Sequence, residues 1–215
     1  MARRLQTSPR KEASQDRSRA TVDALLSATA RVLVKEGYDR ASTNKVAEAA
    51  GVSIGSLYQY FPSKEALVAA VIARHMGEMM EVVRSSLVRV ALMPLADAAR
   101  ELVRVMIDAH RIEPKLHRVL VEQIPRVGNL EHIESIDDEA IALVRAYLEA
   151  HRSEIDVVDL DVAAFIAVTS VEALTDAAVL RRPALLDDER FRDEVVSLVV
   201  RYLRGGAAPC YAAAP

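Results

Sequence analysis

The chain has 215 residues, of which 51% are hydrophobic and 4% aromatic, and its formal net charge is −3. This length and apolar content suffice for one large or two small cores, and the lack of Trp favours helices packed by aliphatic side chains. Cys210 is the single cysteine, which excludes an internal disulfide, and neither a signal peptide nor an apolar stretch of about 18 residues is evident. We therefore expect an all-α, cytoplasmic protein with no membrane partner.

Charge divides the chain into two parts of opposite sign. Residues 1–75 contain 12 Lys or Arg against 7 Asp or Glu, whereas residues 76–215 contain 16 against 24. A basic segment supplies the salt-dependent attraction to phosphates that nucleic-acid-binding proteins use. Residues 1–16 are polar as well as basic, which predicts a flexible arm. A first helix is predicted over 17–36, with Arg19 near its start and available to a phosphate.

The segment 42–64 predicts two short helices joined by a glycine turn. Ser42 or Thr43 can cap the first helix, and Gly51 supplies the left-handed residue that ends it. Ser53 is the natural cap of the second helix. Apolar residues recur at helical spacing in both helices and predict a shared buried face: Val46, Ala47, Ala50, Ile54, Leu57 and Phe61.

The opposite face of the second helix carries small, amide and phenolic side chains, which suit close approach to a DNA groove. Gly55 leaves room for a phosphate strand, and Gln59 can pair with the edge of an adenine. Lys64 opens a third helix and has the charge and position of a phosphate clamp. Helix pairs of this kind also occur in all-α proteins that bind nothing, so spacing alone leaves both interpretations open. The candidate DNA-binding residues are Arg19, Thr43, Asn44, Ser53, Gly55, Ser56, Tyr58, Gln59, Tyr60 and Lys64.

The residues of this segment are more specific than their spacing. The segment resembles the DNA-binding domain of TetR-family bacterial transcriptional regulators in five strings: TNKV at 43–46, AEAAGVS at 47–53, GSLY at 55–58, YF at 60–61 and SKE at 63–65. The resemblance covers roughly Arg19 to Ala73. It implies an N-terminal helix-turn-helix domain of three helices and a larger C-terminal helical domain that binds a ligand and dimerises.

The whole chain is predicted to form about nine helices in two domains. The helices are expected at 17–36, two within 42–61, 64–92, 95–111, 115–123, 132–151, 158–181 and 188–204, with Pro125 ending the sixth. The predicted divisions are a flexible basic arm at 1–16, a DNA-binding domain at 17–75, a regulatory and dimerisation domain at 76–204 and a flexible tail at 205–215. By resemblance, the helix that begins at Lys64 connects the two domains mechanically.

The helices at 158–181 and 188–204 are apolar over more of their circumference than one buried face requires. The resemblance implies that they form a four-helix dimer interface with their copies, which sets two recognition helices about one DNA turn, ~34 Å, apart on a palindromic operator. The alternative is that both helices complete a monomer core. The candidate interface residues are Val171, Leu174, Leu180, Phe191, Val195, Leu198 and Val199.

Residues of the middle helices that mix size, flexibility and polarity are candidates for an effector site. Met suits an adaptable apolar cavity, and a His, Thr or Glu can orient a small apolar or amphipathic ligand. Each candidate has an equally good structural role. The candidate ligand residues are Met76, Met80, Met106, His110, His117, Leu120, Gln123, Tyr147, Phe165, Thr169 and Glu172. We expect the remaining histidines at the surface or at helix ends: His75, His132 and His151.

Catalysis is not expected, because the sequence contains no phosphate-binding glycine loop, no nucleophile elbow and no zinc-protease motif. No cofactor and no metal site is expected either. The sequence therefore predicts a ligand-responsive DNA-binding transcriptional regulator, a repressor that binds a palindromic operator as a homodimer and is released by a small molecule. The alternatives are a helix-turn-helix protein that organises DNA or binds a partner without sensing a ligand, and a helical enzyme that retains a DNA-binding head.

Overall fold

The structure is a computed structural model that describes residues 16–127 and 131–205. Within these residues the chain forms nine α-helices and two short 3₁₀ helices, which confirms the predicted all-α fold. The helices are α1 Asp16–Glu36, α2 Thr43–Ala50, α3 Ile54–Tyr60, α4 Lys64–Val90, α5 Leu95–His110, α6 Pro114–Val127, α7 Glu131–Ala150, α8 Leu160–Arg181 and α9 Glu189–Leu203. Most of the predicted arm and tail, with Cys210, lies outside the described residues.

The chain divides into two compact units. Unit 1 comprises Met1–Glu78 with Glu113–Ile136, and unit 2 comprises Met79–Ile112 with Asp137–Pro215. Helix α4 has residues in both units, whereas α6 belongs to unit 1. The sequence predicted a single regulatory and dimerisation domain at 76–204. The structure instead assigns Glu113–Ile136 to unit 1.

The core of unit 1 is built from the apolar faces of α1 to α4 and α6. Leu25, Leu33 and Leu57 are fully buried there, and Phe61 directly after α3 is 1% exposed. The predicted face of α2 and α3 is thereby confirmed in most positions. Ile54 is an exception: as the first residue of α3 it precedes the turn that buries Leu57, and it is exposed.

Caps fix the ends of α2 and α3 as the sequence predicted. The Ser42 hydroxyl accepts a hydrogen bond from the backbone N–H of Lys45. Gly51 ends α2 at φ 69°, a left-handed conformation that strains any residue with a Cβ atom. Ser53 then caps α3. The turn between the helices is therefore specified by side chains at both of its edges.

Helix α6 corrects one prediction about where a helix ends. Pro125 was expected to end this helix at residue 123, but α6 continues to Val127. Proline lacks the N–H that would bond the Val121 carbonyl, which costs one hydrogen bond, but its fixed φ is compatible with a helix and the two residues after it continue α6. Leu116 and Leu120 anchor α6 in the core of unit 1.

Unit 2 is held together by two apolar clusters in which α5, α8 and α9 pack on one another. Leu95, Leu148 and Leu160 belong to the first cluster, and Ile107 and Val195 belong to the second. The two 3₁₀ helices, Arg152–Glu154 and Pro183–Asp187, lie before and after α8 in the chain.

Helix α8 is apolar on most sides. Its 22 residues are long and apolar enough, by length and composition, to cross a membrane, so the prediction that no such stretch exists was wrong. Core helices of soluble proteins pass the same test, and one helix of this kind is weak evidence for a membrane span. Its apolar character calls for partners on more than one side.

Candidate functional site

Helix α3 presents one face to solvent because Leu57 anchors the opposite face in the core. Gly55 and Gln59 are exposed on the outward side. The Ser53 Oγ accepts the backbone N–H of Ser56 at 3.0 Å and lies 2.9 Å from the Ser56 hydroxyl. A Cβ atom at Gly55 would meet only the Ser53 hydroxyl, at 3.8 Å, so the fold itself does not require glycine there.

A second contact joins the outward side of α3 to α2. Tyr58 is 41% exposed, and its hydroxyl lies 3.0 Å from the Thr43 hydroxyl, with either group able to donate. Asn44 follows Thr43 and is exposed. The structure therefore brings five predicted residues onto neighbouring positions of two helices, which we call the α2/α3 face: Thr43, Asn44, Gly55, Tyr58 and Gln59.

Tyr60 and Lys64, two further candidates for DNA contact, are engaged inside unit 1. The Tyr60 hydroxyl lies 2.9 Å from the Ser18 hydroxyl and so links α3 to α1. The Lys64 ammonium donates a hydrogen bond to the Tyr38 carbonyl at 3.0 Å and lies 4.0 Å from the centroid of the Tyr38 ring. Both side chains therefore have structural roles that the sequence pattern did not indicate, while Arg19 is exposed on α1.

Sequence reasoning passed over Lys45, a cation that directly follows Asn44 on α2. Its ammonium pairs with the Glu36 carboxylate and donates to the Arg40 carbonyl at 3.0 Å. The hydrogen bond from Lys45 holds the pKa of Glu36 below its ordinary value. The signal available in the sequence was its position beside Asn44, on the helix that carries part of the α2/α3 face.

Unit 2 encloses a small cavity with an almost wholly apolar lining. Its volume is about 90 Å³, well below the roughly 300 Å³ at which drug-sized ligands are usually accommodated. Met106 and Tyr147 are the predicted ligand residues that line it. The Tyr147 hydroxyl donates to the Met93 carbonyl at 2.7 Å, and burial raises the pKa of this phenol to about 12. Other lining residues are Val83, Leu95, Val168 and Val171.

The other predicted ligand residues are not brought together around this cavity. Met80 and His110 are buried in unit 2, whereas Phe165 and Thr169 are exposed on α8. None of these side chains is in the described lining of the cavity. Four candidates belong to unit 1 instead: Met76, His117, Leu120 and Gln123.

The histidine predictions require a correction. His75 was expected at the surface, but it is 4% exposed, and its Nε2 lies 3.0 Å from the Nδ1 of His117. One of these ring nitrogens must donate the hydrogen bond and the other must accept it. The contact therefore gives the buried Nε2 of His75 a hydrogen-bond partner. His151 does follow the end of α7, where its ring stacks on Tyr147. The His132 side chain lies outside the described residues.

Glu172 on α8 carries a strongly perturbed carboxyl group. Burial, followed by the charges of Asp137 and Asp176, raises its pKa to about 7, and His110 opposes the shift. The His110 Nδ1 lies 2.7 Å from the Met106 carbonyl, and its Nε2 lies 3.2 Å from an oxygen of Asp176. These groups form an acidic cluster on α5, α7 and α8.

The predicted interface residues fall into two groups. Val195 and Val199 are buried inside unit 2, and Val171 lines the cavity, because the inward face of α9 and one side of α8 complete the chain's own core. Leu198 is 50% exposed. Leu174, Leu180 and Phe191 are partly buried. The exposed apolar side chains of α8 are others, namely Val162, Phe165 and Ile166.

Two family models match the chain. The model for bacterial regulatory proteins of the tetR family matches residues 25–71, which contain α2 and α3. The model for the tetracyclin repressor-like C-terminal domain matches residues 94–203. The chain belongs to the TetR family. The TetR-family match at 25–71 contains the α2/α3 face and the core beneath it, which confirms the family resemblance seen in the sequence.

The chain is similar to known transcriptional regulators over very different lengths. The transcriptional activator FasR of Mycolicibacterium smegmatis is 43% identical over 63 residues, which span 29% of this chain and 29% of FasR. The transcriptional regulator RutR of Escherichia coli O157:H7 is 28% identical over 195 residues, which span 86% of this chain and 90% of RutR. A TetR-family structure from Mesorhizobium loti has a TM-score of 0.68 at 21% identity and shares the fold over 86% of this chain and 98% of its own.

Proposed function

We propose that the protein is a homodimeric, non-enzymatic transcriptional repressor that binds a palindromic operator through the α2/α3 face and is released by a small molecule in unit 2. The observation that carries the proposal is the α2/α3 face itself. Gln59 and Asn44 stand exposed beside a glycine, on helices fixed by caps and by the buried Leu57. Action on DNA in a bacterial cell also supports a cytoplasmic location.

Gly55 gives the sharpest argument for DNA contact. Glycine in a helix is less stable than alanine by about 0.5–1 kcal/mol, and a Cβ atom at this position would make only an ordinary contact with the Ser53 hydroxyl, at 3.8 Å. The presence of glycine at position 55 is therefore best explained by a binding partner, such as a DNA strand whose phosphates approach the helix closely. Gln59 lies one turn further along α3 and is placed to reach a base edge in the same groove.

Substitution of Gly55 separates binding from folding. Gly55→Ala is expected to keep or raise the free energy of unfolding while weakening binding to DNA from upstream of the protein's own gene, measured by fluorescence anisotropy at two salt concentrations. Gly77→Ala is the matched control, since Gly77 lies in α4 with nothing within 4 Å. Unchanged affinity in Gly55→Ala would show that the α2/α3 face has been assigned wrongly.

The dimer is proposed to form through the exposed apolar side of α8 together with α9. Val162, Phe165 and Ile166 recur at helical spacing, and Leu198 is exposed on α9, which packs on α8. Single exposed apolar residues are ordinary, but a row along one helix indicates a partner surface. This row takes the place of Val195 and Val199 in the predicted interface.

Phe165→Glu tests the interface directly. A charge in the centre of the row is expected to convert the dimer to a monomer in light scattering, with helix content unchanged in circular dichroism. Operator binding should weaken as well, because two half-sites must be occupied together. A variant that remains dimeric places the interface elsewhere, and a wild-type protein that is monomeric refutes the dimer.

The effector response is proposed to work by population shift. The cavity in unit 2 is too small for an ordinary ligand as it stands, so a ligand must favour a more open arrangement of the helices around it. Because α4 has residues in both units, we propose that this helix transmits the change in helix arrangement around the cavity to the α2/α3 face. Reduced operator affinity in the presence of a bound small molecule is the expected result. FasR is an activator, so in vitro transcription with and without the protein is needed to test repression.

A further inference from the structure

The cavity of unit 2 lies among α4, α5, α7, α8 and α9, and its lining carries no charge among the residues that the structure describes. Each of these lining residues is alanine, valine or leucine, except Met106 and Tyr147. All of them are buried or half-buried. The lining therefore takes a ligand out of water without offering it an ionic partner.

Tyr147 is the one described lining residue with a polar side-chain atom that hydrogen-bonds strongly. Its hydroxyl proton is already used, because it is donated to the Met93 carbonyl at 2.7 Å. Burial raises the pKa of the phenol to about 12, so the group stays neutral at physiological pH. Its oxygen can still accept a hydrogen bond but cannot donate another. A carboxylate or phosphate in this lining would lose its hydration and find no donor in exchange.

Small side chains on three helices create the space. Ala98 and Ala99 on α5, Ala140 on α7 and Ala167 on α8 all line the cavity. Protein interiors are normally close-packed, and a void leaves the side chains around it without contacts on one side. A leucine at any of these four positions would extend into the space. The four alanines therefore determine how much room a ligand has.

The volume of the cavity limits what can enter without a change of structure. It is about 90 Å³, whereas an apolar cavity of roughly 150 Å³ binds benzene or xenon. A single xenon atom is much smaller than benzene and needs less room. We therefore expect xenon to enter the cavity as it stands, and benzene to enter only when the helices around it move apart.

We propose that the cavity of unit 2 binds an uncharged hydrocarbon group, with no polar head inside the lining, and that the four alanines set the size of this group. The inference rests on the proposed effector response and specifies its chemical class. Apolar contact with the lining supplies the affinity, and the lack of donors and charges rejects ionic ligands of the same shape.

Three probes that share one aromatic ring test the class: benzene, benzoate and benzylammonium. Binding to the full-length protein is measured by isothermal titration calorimetry without DNA. Benzene is expected to bind at least about hundredfold more tightly than either ion, because each ion must leave its hydration shell. Xenon is followed by the NMR signal of the Met106 methyl group, which lines the cavity and should shift when the gas is dissolved.

Two opposite changes of volume test the site. Ala140→Leu fills the cavity and should abolish binding of both xenon and benzene. Its matched control is Ala146→Leu, which makes the same substitution at an exposed position of α7 and should change neither. Leu143→Ala widens the cavity and should bind benzene about tenfold more tightly, because less helix movement is then required. The widened variant carries the test if Ala140→Leu does not fold.

The outcomes separate this inference from the proposed function. Equal or tighter binding of benzoate or benzylammonium overturns the uncharged class. Binding of benzene that persists in Ala140→Leu overturns the cavity as the site, as does the absence of xenon and benzene binding in both wild type and Leu143→Ala. Operator affinity is then measured with benzene present. If benzene binds in the cavity without changing operator affinity, the site stands and the proposed effector response fails.

Discussion

Substitution of Glu172 by Gln changes the pH dependence of stability in a direction that the structure determines. The pKa of this carboxyl is about 7 in the folded chain and about 4.5 without that environment. Between these values the folded chain keeps a proton that the unfolded chain has lost, so the free energy of unfolding falls as pH rises. Above pH 7 both states are ionised and the loss is complete. Glutamine never ionises, so the variant should gain stability over wild type at pH 8.

The size of the gain follows from the interval between pH 5 and pH 7. One pKa unit corresponds to about 1.4 kcal/mol, which sets an upper limit of about 3 kcal/mol. The carboxyl is only partly buried, so we expect about 1–2 kcal/mol, or an increase of about 2–4 °C in melting temperature per kcal/mol. The gain is defined from the free energy of unfolding: the variant's value minus the wild-type value at pH 8, from which the same difference at pH 5 is subtracted.

Thermal and urea unfolding at both pH values measure this gain at one fixed protein concentration, because the stability of any oligomer depends on concentration. Glu149→Gln, an exposed substitution on α7, should show no such difference between the two pH values. If Glu172→Gln is equally stable relative to wild type at pH 5 and pH 8, the carboxyl is not held in the partly buried, acidic surroundings that raise its pKa.

Further predictions concern unit 1. Phe61→Ala removes a ring that is 1% exposed and should lower the free energy of unfolding by about 3–5 kcal/mol in urea. Gly51→Ala places a Cβ atom at φ 69° and should cost about 1–2 kcal/mol; a smaller loss would mean that the turn relaxes. Tyr60→Phe removes the hydroxyl that meets Ser18 and should cost about 0.5–1.5 kcal/mol with unchanged operator affinity. If Tyr60→Phe instead weakens DNA binding without changing stability, the Tyr60 hydroxyl contacts DNA as the sequence predicted.

The elements of unit 1 were predictable because local chemistry determines them. Capping by Ser42 and Ser53, with a left-handed glycine between, specifies two helix ends and a turn within a dozen residues. The assignment of α6 to unit 1 was not predictable from local patterns. It depends on Leu116 and Leu120 meeting residues far away in the sequence, and Pro125 suggested an end that the backbone did not need.

The candidate sites were predicted less completely, because a pattern shows which side chains are polar but not which partners they find. Lys64 has the charge of a phosphate clamp, yet its ammonium rests on Tyr38. In the same way, helical spacing marks Val199 and Phe165 as apolar without showing which of them the chain itself covers. Val199 was a candidate interface residue and Phe165 a candidate ligand residue. The structure buries Val199 and leaves Phe165 54% exposed, so Phe165 is the better candidate for an interface.

Helix α8 brings the two proposals for unit 2 onto one rigid element. At 100° per residue, the lining residues Val168 and Val171 point roughly opposite to the exposed row through Ile166. Glu172 lies at the border between these two sides and is partly buried. If a ligand widens the cavity, α8 should shift as a whole, because its backbone hydrogen bonds hold the lining residues and the exposed row on one helix. The exposed row proposed as the dimer interface would then move as well, so the two proposals together predict that effector binding and dimer geometry are coupled through α8.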